Sequence, residues 1–165
     1  MAVTMRKMTQ SEFEEVYDWS VKYHAKELVE EIDISEEDAV SETIEELKYM
    51  LPDGLDTPDH YLMTIIEEDS GEAVGFVWTL HEEFQERQQS FVCDFAIWEP
   101  HRRKGYATEA LSLVEKAAAE AGCEESVLFV RDINIAARAL YAKCGYEDFR
   151  EKDYGNFMKK QIGNG

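Results

Sequence analysis

Apolar positions recur along this chain with two periods, one helical and one alternating, and the switches between them mark out its elements. Residues 2–8 read as a short strand. Over 10–30, Phe13, Val16, Tyr17, Ser20, Val21, His24 and Leu28 return at helical spacing behind a Thr9-x-x-Glu12 capping box. Ser35, with Asp38 three residues on, opens a second helix, and its stripe of Val40, Ile44, Leu47 and Leu51 stops at Pro52 and Gly54. Aromatic and β-branched runs at 60–67 and 73–81 flank a polar, glycine-bearing connection, the pattern of an antiparallel hairpin, and a third run covers 90–98. A helix from about 105 to 121, a strand at 126–131, a helix at 134–144 and strands near 146–150 and 154–160 follow. The predicted order is β-α-α-β-β-β-α-β-α-β-β.

A helix joins the 90–98 and 126–131 strands, so these two are expected as parallel neighbours with a right-handed crossover, and a ligand belongs near their carboxyl ends. Ala107, Ala110, Leu111, Val114, Ala117, Ala118 and Ala121 give the joining helix a small-residue face that allows close approach to a sheet, and Gly122 supplies a left-handed end. The next helix repeats the grammar, with Asn134 as N-cap, Ala137, Leu140, Tyr141 and Cys144 on one face, and Gly145 at its end. The expected class is α+β. One domain over residues 1–165 holds a mixed, mostly antiparallel sheet of about seven strands, a parallel fourth and fifth pair, and four helices.

Composition narrows the partners. The 165 residues are 44% hydrophobic with nine Gly and three Pro, which excludes collagen-like and disordered chains. The longest apolar stretch, Ala73 to Trp78, is far shorter than the roughly 20 residues of a membrane span. The opening residues place their basic groups after a very short apolar run, with no secretory core, so the expected location is cytoplasmic. Cys93, Cys123 and Cys144 form no paired pattern and read as reduced, mostly buried thiols. A formal charge of −19 repels phosphates and anionic headgroups, so neither nucleic acid nor membrane is an expected partner. Acidic runs such as Glu12, Glu14, Glu15 and Glu42, Glu45, Glu46 read as a solvated helical face, with a cation-attracting mouth as the alternative.

Against that background Arg102, Arg103 and Lys104 form an island of positive charge directly before a helix start. A helix N-terminus presents unpaired N–H groups and partial positive charge, and Gly105 lets a phosphate approach the backbone, so the segment can hold a pyrophosphate. A solvated basic turn is the plain alternative.

Arg102-x-x-Gly105-x-Ala107 is similar to the R/Q-x-x-G-x-G/A acyl-CoA signature of the GNAT family of N-acetyltransferases. Asp94-Phe-Ala-Ile-Trp-Glu-Pro100 resembles that family's fourth strand, and Asn134-x-x-Ala137-x-x-Leu140-Tyr141-x-x-x-Gly145-Tyr146 its downstream helix. The 91–105 stretch and the Pro52-x-Gly54-Leu-x-Thr-Pro58 loop resemble a little-characterised bacterial branch. The resemblance implies acetyl-CoA as co-substrate and no metal. It further implies pantetheine along the backbone of Ala96, Ile97 and Trp98, with the Ile97 N–H at the thioester oxygen. By the same carry-over, backbone N–H groups of Arg103, Lys104, Gly105, Tyr106, Ala107 and Thr108 hold the pyrophosphate. Arg102, Arg103 and Lys104 lie near the phosphates, Asn134 contacts the pantetheine arm, and Tyr141 protonates the departing sulfur.

Acyl transfer to an amine needs an oxyanion donor, a proton donor to sulfur and removal of the amine proton. A phenol with a pKa of about 10 is protonated at neutral pH and suits the second role, although the same spacing describes a core aromatic. Asp94 interrupts the apolar fourth strand. A carboxylate there can take a proton through water, or simply hydrogen-bond a neighbouring element. The Glu that some family members carry two residues before the fifth strand's terminal Arg is Phe129 here, before Arg131. His81 and Glu82 read as exposed loop residues, Cys93 as inert packing, and no P-loop or dinucleotide motif occurs. The expected reaction is direct acetyl transfer to a primary amine, either a small cationic molecule or a protein amine; a homodimer stays open. The alternatives are a non-catalytic acyl-CoA-binding or regulatory module and a generic acidic interaction domain.

Overall fold

The structure, a computed structural model, describes residues 2–163. In chain order it forms β1 (Val3–Lys7), α1 (Gln10–Glu31), α2 (Glu36–Met50), β2 (His60–Glu67), β3 (Ala73–Phe84), β4 (Arg87–Ile97), α3 (Tyr106–Glu120), β5 (Glu125–Arg131), α4 (Ile135–Lys143), β6 (Glu147–Lys152) and β7 (Gly155–Gln161). This is the expected order, and the α+β class stands. Among the described residues the seven strands make one sheet in the order β1-β2-β3-β4-β5-β7-β6. β4 and β5 are parallel, whereas β1–β2, β3–β4, β5–β7 and β6–β7 are antiparallel. Contacts divide the chain into two compact units: Met8–His60, with α1 and α2, and the sheet with α3 and α4.

The helical unit is built from local signals. Thr9 is extended, its hydroxyl accepts from the Glu12 N–H at 3.1 Å, and its own N–H donates to Glu12 Oε1 at 2.9 Å, so two otherwise orphan donors are satisfied. Ser35 Oγ accepts from the Asp38 N–H at 3.1 Å and starts α2, which packs against α1. Residues 8–60 contain 17 acidic and three basic side chains, so this unit holds 14 of the 19 excess negative charges.

In the sheet unit, the β3–β4 hairpin runs further than the pattern of the sequence predicts. Gln85 and Glu86 both take positive φ, 50° and 65°, in a two-residue turn whose twist matches that of the strands it joins. Ladder pairing therefore reaches Phe84 and Arg87. His81 and Glu82, expected in a loop, are ladder residues opposite Ser90 and Gln89. The His81 ring lies 4.5 Å from that of Tyr61, and Glu82 Oε2 accepts from Gln89 Nε2 at 3.0 Å.

Val92 and Ile97 of β4, Leu128 and Val130 of β5 and Met158 of β7 form the core with Tyr106, Ala110, Leu111 and Val114 of α3; Ala137, Tyr141 and Cys144 of α4 pack against it. Ala110 and Ala118 are fully buried, as close approach of the small-residue face requires. A part-buried polar cluster lies beside this core. The Tyr146 hydroxyl lies 2.7 Å from Ser126 Oγ and donates to Glu115 Oε2 at 2.9 Å, and Lys160 Nζ donates to Glu115 Oε1 at 2.8 Å.

Candidate active site

β4 pairs with β5 only where Gln89, Ser90, Phe91 and Val92 face Glu125, Ser126, Val127 and Leu128. Beyond that point β4 continues along β3 to Ile97 and β5 continues along β7 to Arg131, so the two parallel strands part company at their carboxyl ends. A bulge lies where they separate. Thr79 stands opposite Val92 and Trp78 opposite Asp94, which leaves Cys93 as an extra residue on β4. Such a residue bends its strand, sharpens the twist and shifts the alternation of side chains by one. Val92, Phe95 and Ile97 consequently all meet the core, while Asp94 and Ala96 turn to the other face. Unbulged pairing would send Asp94 into the apolar core.

Backbone polarity along this edge follows from one hydrogen bond. The Trp98 N–H donates to Val74 O at 2.8 Å, so that group belongs to the β3 side. Successive peptide groups of a strand point to opposite edges, which turns the Ile97 N–H away from β3. The Ile97 carbonyl accepts from Arg102 Nε at 2.8 Å and ties the end of β4 to the basic loop. Of the three residues expected along pantetheine, Ile97 thus presents a donor on the open edge, whereas the Trp98 N–H is engaged within the sheet.

After a 3₁₀ turn at Glu99–His101 the chain passes through two left-handed residues, Arg103 (φ 65°) and Gly105 (φ 83°), before α3 begins at Tyr106. Gly105 is the N-cap and provides no side-chain acceptor, whereas Thr9, Ser35 and Asn134 cap the other three described α-helices. The first turn of α3 therefore starts with no side-chain acceptor at its N-cap, where a helix leaves N–H donors unpaired within itself. A Cβ on Gly105 would meet nothing within 4 Å, so the backbone is open to approach there. Arg102, Arg103, Lys104 and Thr108 are exposed. Tyr106 differs: its side chain is 2% exposed and its hydroxyl donates to Glu67 Oε2, so only its backbone can face a ligand. That bond, then one from Ser70, holds the Glu67 carboxyl below the usual carboxylate range, and donating to Glu67 pushes the Tyr106 phenol up to about 12.

Tyr141 is half-buried on α4, its ring edge-on to that of Tyr146 at 5.9 Å. Asn134 caps the same helix, Oδ1 accepting from the Ala137 N–H at 3.3 Å, which leaves its NH₂ group as a donor. Ile97, Ala107 and Tyr141 are thereby gathered on one core cluster, and Asp94 sits across the sheet, opposite Trp78. Asp94 Oδ1 accepts from the Phe95 N–H at 3.0 Å. Burial, with Asp94 and Glu82 adding to it, pushes the Cys93 thiol far up. The Phe129 ring meets that of Phe157 edge-on, with centroids 5.0 Å apart. A groove of about 660 Å³ at the opposite ends of β4 and β5, lined by Arg87, Glu125, Phe149 and Lys159 among others, contains none of these residues. Among the described residues no helix is long and apolar enough to cross a membrane, and no group of three or more His, Cys, Asp or Glu side chains could hold a metal ion. Two features of the site lie outside what sequence patterns reveal: the Cys93 bulge and the Glu67–Tyr106 bond, whose partners are 39 residues apart.

The sequence model of the acetyltransferase (GNAT) family matches residues 13–146. The uncharacterized N-acetyltransferase YycN of Bacillus subtilis (strain 168) is 32% identical over 148 residues, 90% of this chain and 94% of the relative. YdgE, an uncharacterized N-acetyltransferase of the same organism, is 33% identical over 146 residues, 88% of this chain and 92% of the relative. The crystal structure of YycN superposes with a TM-score of 0.85 at 30% identity, covering 92% of this chain and 96% of that one. The PaiA N-acetyltransferase of Thermoplasma acidophilum, crystallised with coenzyme A, shares the fold at a TM-score of 0.71 and 16% identity over 98% of this chain and 99% of that one. With parted β4 and β5 strands, an uncapped basic helix start and relatives matched over nearly their whole length, the chain belongs to the acetyltransferase (GNAT) family and is an acyltransferase.

Proposed function

We propose that residues 1–165 act as one cytoplasmic N-acetyltransferase domain, moving the acetyl group of acetyl-CoA directly to a primary amine within a ternary complex. The observation that carries this reading is the parting of β4 and β5 beside the uncapped start of α3. Acetyl-CoA supplies the activated acyl group. Backbone N–H groups from Arg103 through Thr108 hold its diphosphate, with the charges of Arg102, Arg103 and Lys104 close by. Ala96, Ile97 and Trp98 line the pantetheine arm, and the NH₂ group of Asn134 contacts it. The Ile97 N–H polarises the acyl oxygen, and the Tyr141 hydroxyl gives its proton to sulfur. Asp94 accepts the amine proton through water. Tyr141 and Asp94 lie on opposite faces of the sheet, an arrangement suited to direct transfer, and the raised pKa of Cys93 disfavours a thiolate nucleophile.

A small cationic amine is the favoured acceptor, because a chain with a formal charge of −19 concentrates cations around it; a protein amine is the alternative. Phe129, at the position where the family resemblance implies a Glu in some members, favours a second reading, a non-catalytic acyl-CoA-binding module. Free-thiol release from acetyl-CoA across a panel of polyamines, amino sugars and lysine peptides separates the two. Amine-dependent release, fastest with a cationic small molecule, is expected, and Tyr141→Phe should lower kcat roughly 10²-fold with CoA affinity retained. Tight CoA binding without release anywhere in the panel would leave the binding module standing.

A further inference from the structure

One register position of the β1–β2 ladder bonds α3 from both strands. Val3 stands opposite Glu67, and both bond the first turn of α3: the Val3 N–H donates to Glu109 Oε1 at 2.9 Å, and the Tyr106 hydroxyl donates to Glu67 Oε2. The second Glu67 oxygen accepts from the Ser70 hydroxyl at 2.7 Å, and the Gly71 N–H closes back onto the Glu67 carbonyl at 2.8 Å. In the same turn the Glu72 carboxylate lies 3.5 Å from His101 Nε2. The end of β2 and the turn after it therefore meet the basic loop on both sides: Glu72 lies near His101 before it, and Glu67 bonds Tyr106 where the helix begins. Since no side chain caps α3, these long-range bonds replace the local contact that fixes the first turn of the other described α-helices.

We infer that Glu67 is a positioning residue of the donor-substrate site: by holding the Tyr106 hydroxyl it fixes the first turn of α3, and with it the aim of the Tyr106, Ala107 and Thr108 N–H groups. This rests on the reading of 103–108 as the diphosphate cradle. Preorganised donors bind an anion without the cost of ordering them first, so loosening the turn weakens donor binding while leaving the chemistry of the bound complex alone. Electrostatics alone makes the opposite demand, because a carboxylate beside an anion site repels the anion.

That opposition supplies the test, by calorimetric titration of the full chain with CoA and steady-state kinetics with acetyl-CoA. Glu67→Ala removes both the acceptor and the charge, and its Kd for CoA is expected to rise about tenfold. Glu67→Gln removes the charge but keeps an oxygen for the Tyr106 hydroxyl, and should bind CoA as tightly as the parent or more so. KM for acetyl-CoA should follow Kd in both variants, with kcat at saturation unchanged. Tyr106→Phe keeps the ring in the core and loses only the hydroxyl, so it should reproduce the Glu67→Ala loss even where that variant folds poorly. Parent-like CoA affinity in Tyr106→Phe, or tighter binding in Glu67→Ala, would overturn the inference, as would equal losses in Glu67→Ala and Glu67→Gln. Absence of CoA binding by the parent protein would instead sink the donor-site reading itself.

Discussion

Gly75 sets the distance between β3 and the β4 strip proposed to line pantetheine. It stands opposite Ile97, and its need is for space, since its φ is one that any residue adopts. A Cβ built there would penetrate the Ala96 carbonyl oxygen and come to 3.0 Å from Ile97 Cα and 3.1 Å from Ile97 Cδ1. Two of those three atoms are backbone, so no rotamer change relieves the clash, and Gly75→Ala must push the strands apart. Overpacking of this kind costs about 1–3 kcal/mol. Ladder bonds that stretch with it, such as Trp98 N–H to Val74 O at 2.8 Å, add about 1 kcal/mol each. A total of about 2–4 kcal/mol lowers Tm by roughly 5–15 °C in a domain of this size. Thermal melts with and without CoA provide the assay, and Gly122→Ala is the comparison: Gly122 needs positive φ (97°) but has open space around it, so its loss costs about 1 kcal/mol of backbone strain and leaves CoA affinity alone. Gly75→Ala should fall well below Gly122→Ala in Tm and bind CoA more weakly. Equal melting of the two variants, with CoA affinity intact in both, would refute the claim that strand spacing controls the site.

The buried Tyr146 hydroxyl bridges Ser126 and Glu115, so Tyr146→Phe should cost about 1–3 kcal/mol by urea denaturation. At high pH the Tyr106 phenol stays protonated in the folded state up to about 12 while the unfolded chain ionises from about 10, so its contribution is complete below pH 10 and is lost towards 12. Denaturant midpoints across that window should fall less steeply in Tyr106→Phe. Glu67 has the opposite sign: its lowered pKa contributes stability above the ordinary carboxylate range, and that is lost as pH falls through the folded value, so Glu67→Gln should flatten the acid limb of a stability profile. Cys93, whose thiol burial raises, should resist thiol reagents at neutral pH, and Cys93→Ala should retain acetyl transfer; a kcat collapse in a stable Cys93→Ala protein would argue for an acyl-enzyme.

Those features legible in the sequence are the ones made by near neighbours. The capping box of Thr9 and Glu12, the caps at Ser35 and Asn134, and the left-handed ends at Gly122 and Gly145 all join residues within four positions, and each stands where the pattern predicts. Family resemblance pointed to the basic loop, and the helix after it does start without a side-chain cap. The β3–β4 hairpin extends past its predicted ends for a local reason. Gln85 and Glu86 adopt the positive φ normally supplied by Asn-Gly or Gly-Gly, so a polar stretch that reads as loop is in fact paired strand.

Periodicity and caps decided which elements exist and in what order, because helix and strand formation is governed by contacts a few residues long. Which face Asp94 occupies, where β4 and β5 separate, and what holds the first turn of α3 were decided only in three dimensions. A bulge is defined by the partner strand, a parting of strands by two different neighbours, and the Glu67–Tyr106 bond by residues that meet only once β2 and α3 have packed. The sequence thus carries the vocabulary of the site, and the sheet, by setting register, decides which of its words face one another.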